Sequence, residues 1–166
     1  MNVSGGLAFT ERPAGNCFMI IEEMTRDACI EFLDRIHLGR LACERNRQPY
    51  VTPFYFACHL GLLYGFSTVG QKVSWMRANP LVCVEADEVI NPQQWISVIA
   101  FGRYEELPAG PAHDAERRLA HRIVSQGSLW WEPGYAKTIV HGNERQLDLV
   151  YFRIHLGQIS GHRASL

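Results

Sequence analysis

Short runs of β-branched and aromatic residues, separated by tight turn signals, recur along most of this chain and restrict it to a fold dominated by antiparallel sheet. Gly39 to Glu44, a polar turn at Asn46-Arg47-Gln48 and the extended run Pro49 to Cys58 read as one hairpin. His59-Leu60-Gly61 turns the chain again, into a strand over Leu62 to Ser67. Further strands are expected over Leu81 to Ala86, Trp95 to Glu105 and Leu147 to Leu156, with Asp87 to Gln94 as a polar loop around Pro92 and Gly157 to Leu166 as a tail. Sequential hairpins of this kind close most naturally into a small barrel, so the fold class is mainly β (α+β), with helices at the periphery. No regular βαβ alternation and no G-x-G-x-x-G occurs, which disfavours a Rossmann fold.

Three helices fit the remaining periodicity. The first starts from Thr25 as N-cap, carries Cys29, Ile30, Leu33 and Ile36 on one face, and has Gly39 placed to end it. A second, short helix follows Gly70 and is stopped by Asn79-Pro80, because the residue before a proline is pushed out of the helical region. The third runs from Pro111 to about Ser125, with Ala115, Leu119, Ile123 and Val124 on its apolar side. Residues 1–20 have no period and read as a flexible or draped arm on a single domain spanning 1–166.

The stretch Tyr64 to Pro80 carries the chemistry. A strand runs into Ser67 and Thr68, then Gly70-Gln71-Lys72 opens the short helix. Hydroxyl donors, a glycine that admits close approach and the free N–H groups of a helix start together form an anion site, for which phosphate is the obvious occupant. Lys72 in the first turn opposes the helix dipole, a placement more readily tolerated if an anion lies between them. A plain chain reversal with a solvated lysine would use the same residues, and spacing alone leaves both readings open. Pro53 cannot donate to a ladder, so its strand belongs at an edge or a bulge where backbone groups remain free for a ligand.

Composition removes other classes. With 16 Lys+Arg against 17 Asp+Glu in 166 residues, the chain lacks the basic balance of a nucleic-acid or anionic-membrane binder. Cys17, Cys29, Cys43, Cys58 and Cys83 form an odd set without a C-x-x-C pair, as expected of reduced core thiols in a cytoplasm. No signal peptide or membrane span is legible, no histidine stands at metal-ligand spacing, and no G-x-S-x-G elbow occurs. Trp130 and Trp131, adjacent in a loop, fit a core edge or a subunit interface better than a flat ligand.

Taken together, G-R-L-A (Gly39 to Ala42), Q-P-Y-V-T-P-F-Y-F (Gln48 to Phe56), L-L-Y-G-F-S with G-Q-K, the N-P pair and W-I-S-V-I-A-F-G-R-Y-E-E-L resemble the pyridoxamine 5′-phosphate oxidase-like family of FMN-binding split β-barrels. Within it the order is most similar to the nitroimidazole-resistance branch, over about residues 25 to 107 and more weakly in the tail. The resemblance implies FMN as cofactor. Its phosphate would lie on Lys72 with Gln71 and the hydroxyl of Ser67 or Thr68, and its ring and ribityl chain would run along Tyr50, Val51, Thr52, Pro53, Phe54 and Tyr55. Ser97 would reach it from a following strand. It also implies a homodimer with the flavin site between subunits, the partner contributing from Trp131 and Arg163. The implied activity is that of an FMN-dependent oxidoreductase on a small molecule; a non-catalytic flavin carrier or sensor, and the same barrel with deazaflavin or haem, stay open. Gln71 stands where pyridoxamine phosphate oxidases usually carry Arg, and Phe66 where the nitroimidazole branch often has His.

Overall fold

The computed structural model describes residues 18–126, 138–140, 143–145 and 149–166. The expected loop tryptophans Trp130 and Trp131, Cys17 and most of the N-terminal arm lie outside those residues.

Local sequence fixes the hairpins. Strand β2 (Leu38–Arg45) turns into β3 (Gln48–Tyr55) through Asn46 and Arg47, both at positive φ, 55° and 64°. Strand β4 (Ala57–His59) turns into β5 (Leu62–Thr68) through Leu60 at 51° and Gly61 at 74°. Two left-handed central residues match the twist of the flanking strands, which is why both turns need only two residues. Strand β1 (Ile20–Glu23) precedes helix α1 (Arg26–Arg35). Helix α2 (Gln71–Ala78), strands β6 (Leu81–Asn91) and β7 (Gln94–Leu107), and helix α3 (Asp114–Val124) follow. A small pair, β8 (Thr138–Val140) and β9 (Asn143–Arg145), stands apart from the main sheet, and β10 (Leu149–Ser165) completes it.

Every ladder is antiparallel, and the main sheet runs β3-β2-β6-β7-β10-β5-β4, with β1 paired to β10. Its two ends, β3 and β4, are separated in sequence by Phe56 alone. One residue cannot span an open sheet, so the sheet must curl until its ends meet, giving the split barrel. Phe56 sits fully buried at the seam, with its N–H donating to the His37 carbonyl at 2.9 Å. The interior is aromatic at its centre, where Phe54 stacks on Phe152 with ring centroids 5.5 Å apart. Helix α3 covers a second, smaller core of Tyr64, Leu107, Ala120, Val124 and Tyr151 on the outside of the wall.

Several expected boundaries move. Gly39 does not end α1; the helix stops at Arg35, with Ile36 already extended. Gly39 lies inside β2, where an added Cβ would come within 2.4 Å of the Glu85 carbonyl oxygen, so its role is to admit the neighbouring strand. Most of the supposed polar loop Asp87 to Gln94 continues β6 as far as Asn91, because Glu85 and Asp87 occupy the outer face while Val84 and Ala86 face the core; only Pro92 and Gln93 form the turn, and Gln94 opens β7. Gly157 opens no tail: β10 passes a bulge between Leu156 and Ile159 and pairs with β7 and β1 up to Ala164 and Ser165. In α3 Val124 reaches the core as expected, together with Ala120, whereas Ala115 is exposed.

Candidate functional site

The N-terminal turn of α2 is where local helix rules are least satisfied. Gly70 is the N-cap and offers no side chain, and the first turn holds no acidic residue. The Gly70 carbonyl accepts the first helical bond from Ser74 at 2.9 Å, which leaves the N–H groups of Gln71, Lys72 and Val73 without partners inside the helix. Gly70 itself is extended, and among the described residues a Cβ there would meet only the Thr68 carbonyl, at 3.9 Å.

Lys72 stands in that turn, half-buried, and among the described residues no carboxylate pairs with it. Burial pulls its pKa below the usual lysine value, with only the Cys43 thiol opposing the shift. A desolvated ammonium beside unpaired N–H donors is an arrangement that an anion completes. Ser67 and Thr68 end β5 immediately before it and point to opposite faces of the wall. Ser67 pairs with Val150 and shares the interior side, whereas Thr68, opposite Leu149, shares the outer side.

Strand β3 borders this corner as the edge of the sheet, pairing among the described residues only with β2. Pro53, as its edge position requires, lacks an N–H on a strand that has only one ladder. The predicted contacts of β3 divide by face. Tyr50, Thr52 and Phe54 point inward, and Phe54 is spent on the core, leaving its backbone alone for a ligand. Val51 and Pro53 point outward and are exposed, and Tyr55 leans on His37 with centroids 5.9 Å apart. Tyr50 meets Trp75 of α2 edge-on at 5.6 Å and so couples β3 to the helix carrying Lys72.

Two predicted residues do not join this corner within one chain. Ser97 is half-buried on the outer face of β7, between Asp87 and His162 in a polar row. It lies five residues from Gly102, which faces Val82, the neighbour of Cys43, and five residues of strand span roughly 17 Å. Arg163 lies on β10 beside α1, lining a cleft of about 310 Å³ with Glu31, Asp34, Arg35 and Ile96.

Sequence reading missed the outer face of the wall. Val51, Leu81, Ile99 and Phe101 are 60%, 63%, 39% and 51% exposed, and Phe101 lines a shallow apolar groove of about 250 Å³ with Ala42, Pro49, Leu81 and Cys83. The signal was available in the apolar residues at both phases of each strand, which a one-sided sheet does not need. The described cysteines are free thiols, Cys29, Cys43 and Cys58 buried and Cys83 half-buried. No described helix is long and apolar enough to cross a membrane.

The family model for pyridoxamine 5′-phosphate oxidase matches residues 25–163. The uncharacterized protein RA0666 of Rhizobium meliloti (strain 1021) is 36% identical over 146 residues, covering 88% of this chain and 97% of that one. A solved FAD-binding protein from Mesorhizobium loti superposes with a TM-score of 0.74 at 38% identity, covering 90% of this chain and all (100%) of that one. A candidate 5-nitroimidazole antibiotic resistance protein from Bacteroides thetaiotaomicron shares the fold at 17% identity and a TM-score of 0.61, over 95% of this chain and 100% of its own. With that family model matched over residues 25–163, across the split barrel, the chain belongs to the pyridoxamine 5′-phosphate oxidase family.

Proposed function

We propose that the protein binds FMN, with the phosphate at the Lys72 corner and the ring along β3, and serves as a flavin-dependent oxidoreductase acting on a small molecule in the cytoplasm. The observation that carries this reading is Lys72: a half-buried cation, unpaired among the described residues, at a helix start without cap or carboxylate. The donor set fits a phosphate dianion, which accepts from N–H, hydroxyl and ammonium groups alike. When bound, the flavin supplies hydride and electron transfer; the chain's contribution is to hold the phosphate, orient the ring and exclude water. Gln71 and Ser67 or Thr68 add neutral donors beside the charge of Lys72, and the unpaired edge of β3 offers backbone groups to the ring.

Two observations support a site shared between two copies of the chain. Ser97 and Arg163 are remote from Lys72 within one subunit, and the outer wall exposes a continuous apolar strip around Phe101. FAD in place of FMN is the second reading, favoured by the Mesorhizobium loti relative at 38% identity, itself described as FAD-binding.

The test is a visible absorption spectrum of the purified protein, mass spectrometry of any chromophore released by heat, and titration of the stripped protein with FMN, FAD and riboflavin, alongside light scattering. A flavin spectrum, release of FMN and a dimeric mass are expected. A colourless protein that takes up none of the three flavins would overturn the reading, and turnover with a reduced nicotinamide separates an oxidoreductase from a carrier.

A further inference from the structure

Helix α2 is short, and what fixes its orientation decides where Lys72 points. At about 100° per residue, the buried residues Val73 and Met76 form a central ridge, with Lys72 on one flank and Arg77 on the other. On the Lys72 flank Trp75 meets Tyr50 of β3 edge-on, and among the described residues no charged pair holds that side. The Arg77 flank is clasped: Arg77 Nε and Nη2 donate to Glu106 Oε2 and Oε1 of β7 at 2.7 and 2.8 Å. Glu106 is itself held by the Tyr104 hydroxyl, which donates to Oε2 at 3.0 Å, and Tyr104 is buried against Phe152 with centroids 5.2 Å apart. The clasp is therefore anchored in the barrel core rather than on a free surface side chain.

Resting on the FMN reading above, we infer that Arg77 is a positioning residue for the phosphate corner: through its two-point pairing with Glu106 it sets the roll of α2, and with it the place of Lys72. Val73 and Met76, with Trp75 edge-on to Tyr50, resist lifting of the helix, but apolar contacts resist rotation weakly, because dispersion has little directionality. A bidentate guanidinium–carboxylate pair is directional. A roll of about 20° would carry a group some 6 Å from the helix axis by about 2 Å, enough to take a charge-assisted contact out of hydrogen-bonding range. Arg77 keeps 46% of its side-chain surface in solvent, so the pair adds little to overall stability and its effect is concentrated in geometry.

The phosphate makes this testable without activity, because riboflavin is FMN without it. Dissociation constants for FMN and riboflavin are measured for the wild type, Lys72→Ala, Arg77→Ala and Glu106→Gln, with thermal melts of the flavin-free proteins. The wild type is expected to prefer FMN and Lys72→Ala to lose most of that preference. Arg77→Ala and Glu106→Gln are each expected to weaken FMN about tenfold, the size of one misplaced charge-assisted contact, while riboflavin changes less than about twofold. If both clasp variants keep the wild-type ratio of the two constants while Lys72→Ala collapses it, or if FMN and riboflavin weaken together, Arg77 is not a positioning residue. If Lys72→Ala keeps the ratio, the phosphate assignment itself fails, and the inference with it.

Discussion

Helices α1 and α2 obey opposite rules at their N-termini, although both pack on the same barrel. In α1 the Thr25 hydroxyl accepts from the Ala28 N–H at 3.3 Å, Asp27 sits in the first turn and Arg35 in the last. Cap and charges all agree with the helix dipole. In α2 the cap is a bare glycine, the first turn has no acid, and a desolvated lysine stands where a carboxylate would be favoured. Among the described residues the chain thus closes one helix with its own atoms and leaves the other uncapped, and local inconsistency of that kind is characteristic of functional sites.

The most direct way to break the contrast is to remove the cation. Lys72→Ala should weaken FMN by about 10- to 100-fold, since charge-assisted contacts to phosphate are worth roughly 1.5–3 kcal/mol, and should leave the flavin-free protein no less stable, because a buried charge is lost with it. An unchanged FMN titration would equate the two helix ends. Giving α2 the side-chain cap it lacks sharpens the comparison: Gly70→Asp, in extended backbone, should stabilise the free protein by only about 0.3 kcal/mol while reducing FMN affinity about tenfold, because the new carboxylate repels the phosphate. A melt and a titration on the same sample read both signs. At the closed helix, Thr25→Ala should cost about 1 kcal/mol in chemical denaturation and leave the ratio of FMN to riboflavin affinity untouched.

The smallest effect is in pH. Lys72 titrates below the usual 10.5 in the free protein, so its burial penalises folding while it is charged, and that penalty fades as pH rises through the depressed value towards 10.5. A bound phosphate favours the charged form. FMN affinity should accordingly fall as pH climbs through the depressed Lys72 value, and riboflavin affinity should not follow it; parallel curves would remove Lys72 from the phosphate.

What was legible in the sequence was what the chain does over a few residues. The turns around Asn46-Arg47 and Leu60-Gly61, the Thr25 cap and the Asn79 stop depend on local backbone preferences, and the structure has each of them, with Gln48 and His59, expected in the turns, already in the flanking strands. Gly39 and Gly157 misled because their surroundings are supplied by other strands: Gly39 faces the backbone of β6, and Gly157 sits at a bulge opposite β7. The outer acids of β6 imitate a loop only when the partner strand is unknown. In the candidate site, the Ser67 to Lys72 corner was legible because strand, turn and helix are contiguous. The clasp of Arg77 on Glu106 was not, since nothing local links those residues, and neither was the remoteness of Ser97 and Arg163, which depends on how far β7 and β10 run before they bend.

Strand β10 places Leu149 beside Thr68, Val150 beside Ser67 and Tyr151 beside Leu107, so the hydroxyl end of the corner is completed by residues far along the chain. Closing so long a loop is slow relative to forming the β2–β3 and β4–β5 hairpins, so the corner is expected among the late events of folding. A ligand held there stabilises contacts absent from the transition state. It should leave the refolding rate almost unchanged and slow unfolding instead, so that the occupied protein outlives the empty one chiefly by coming apart less often.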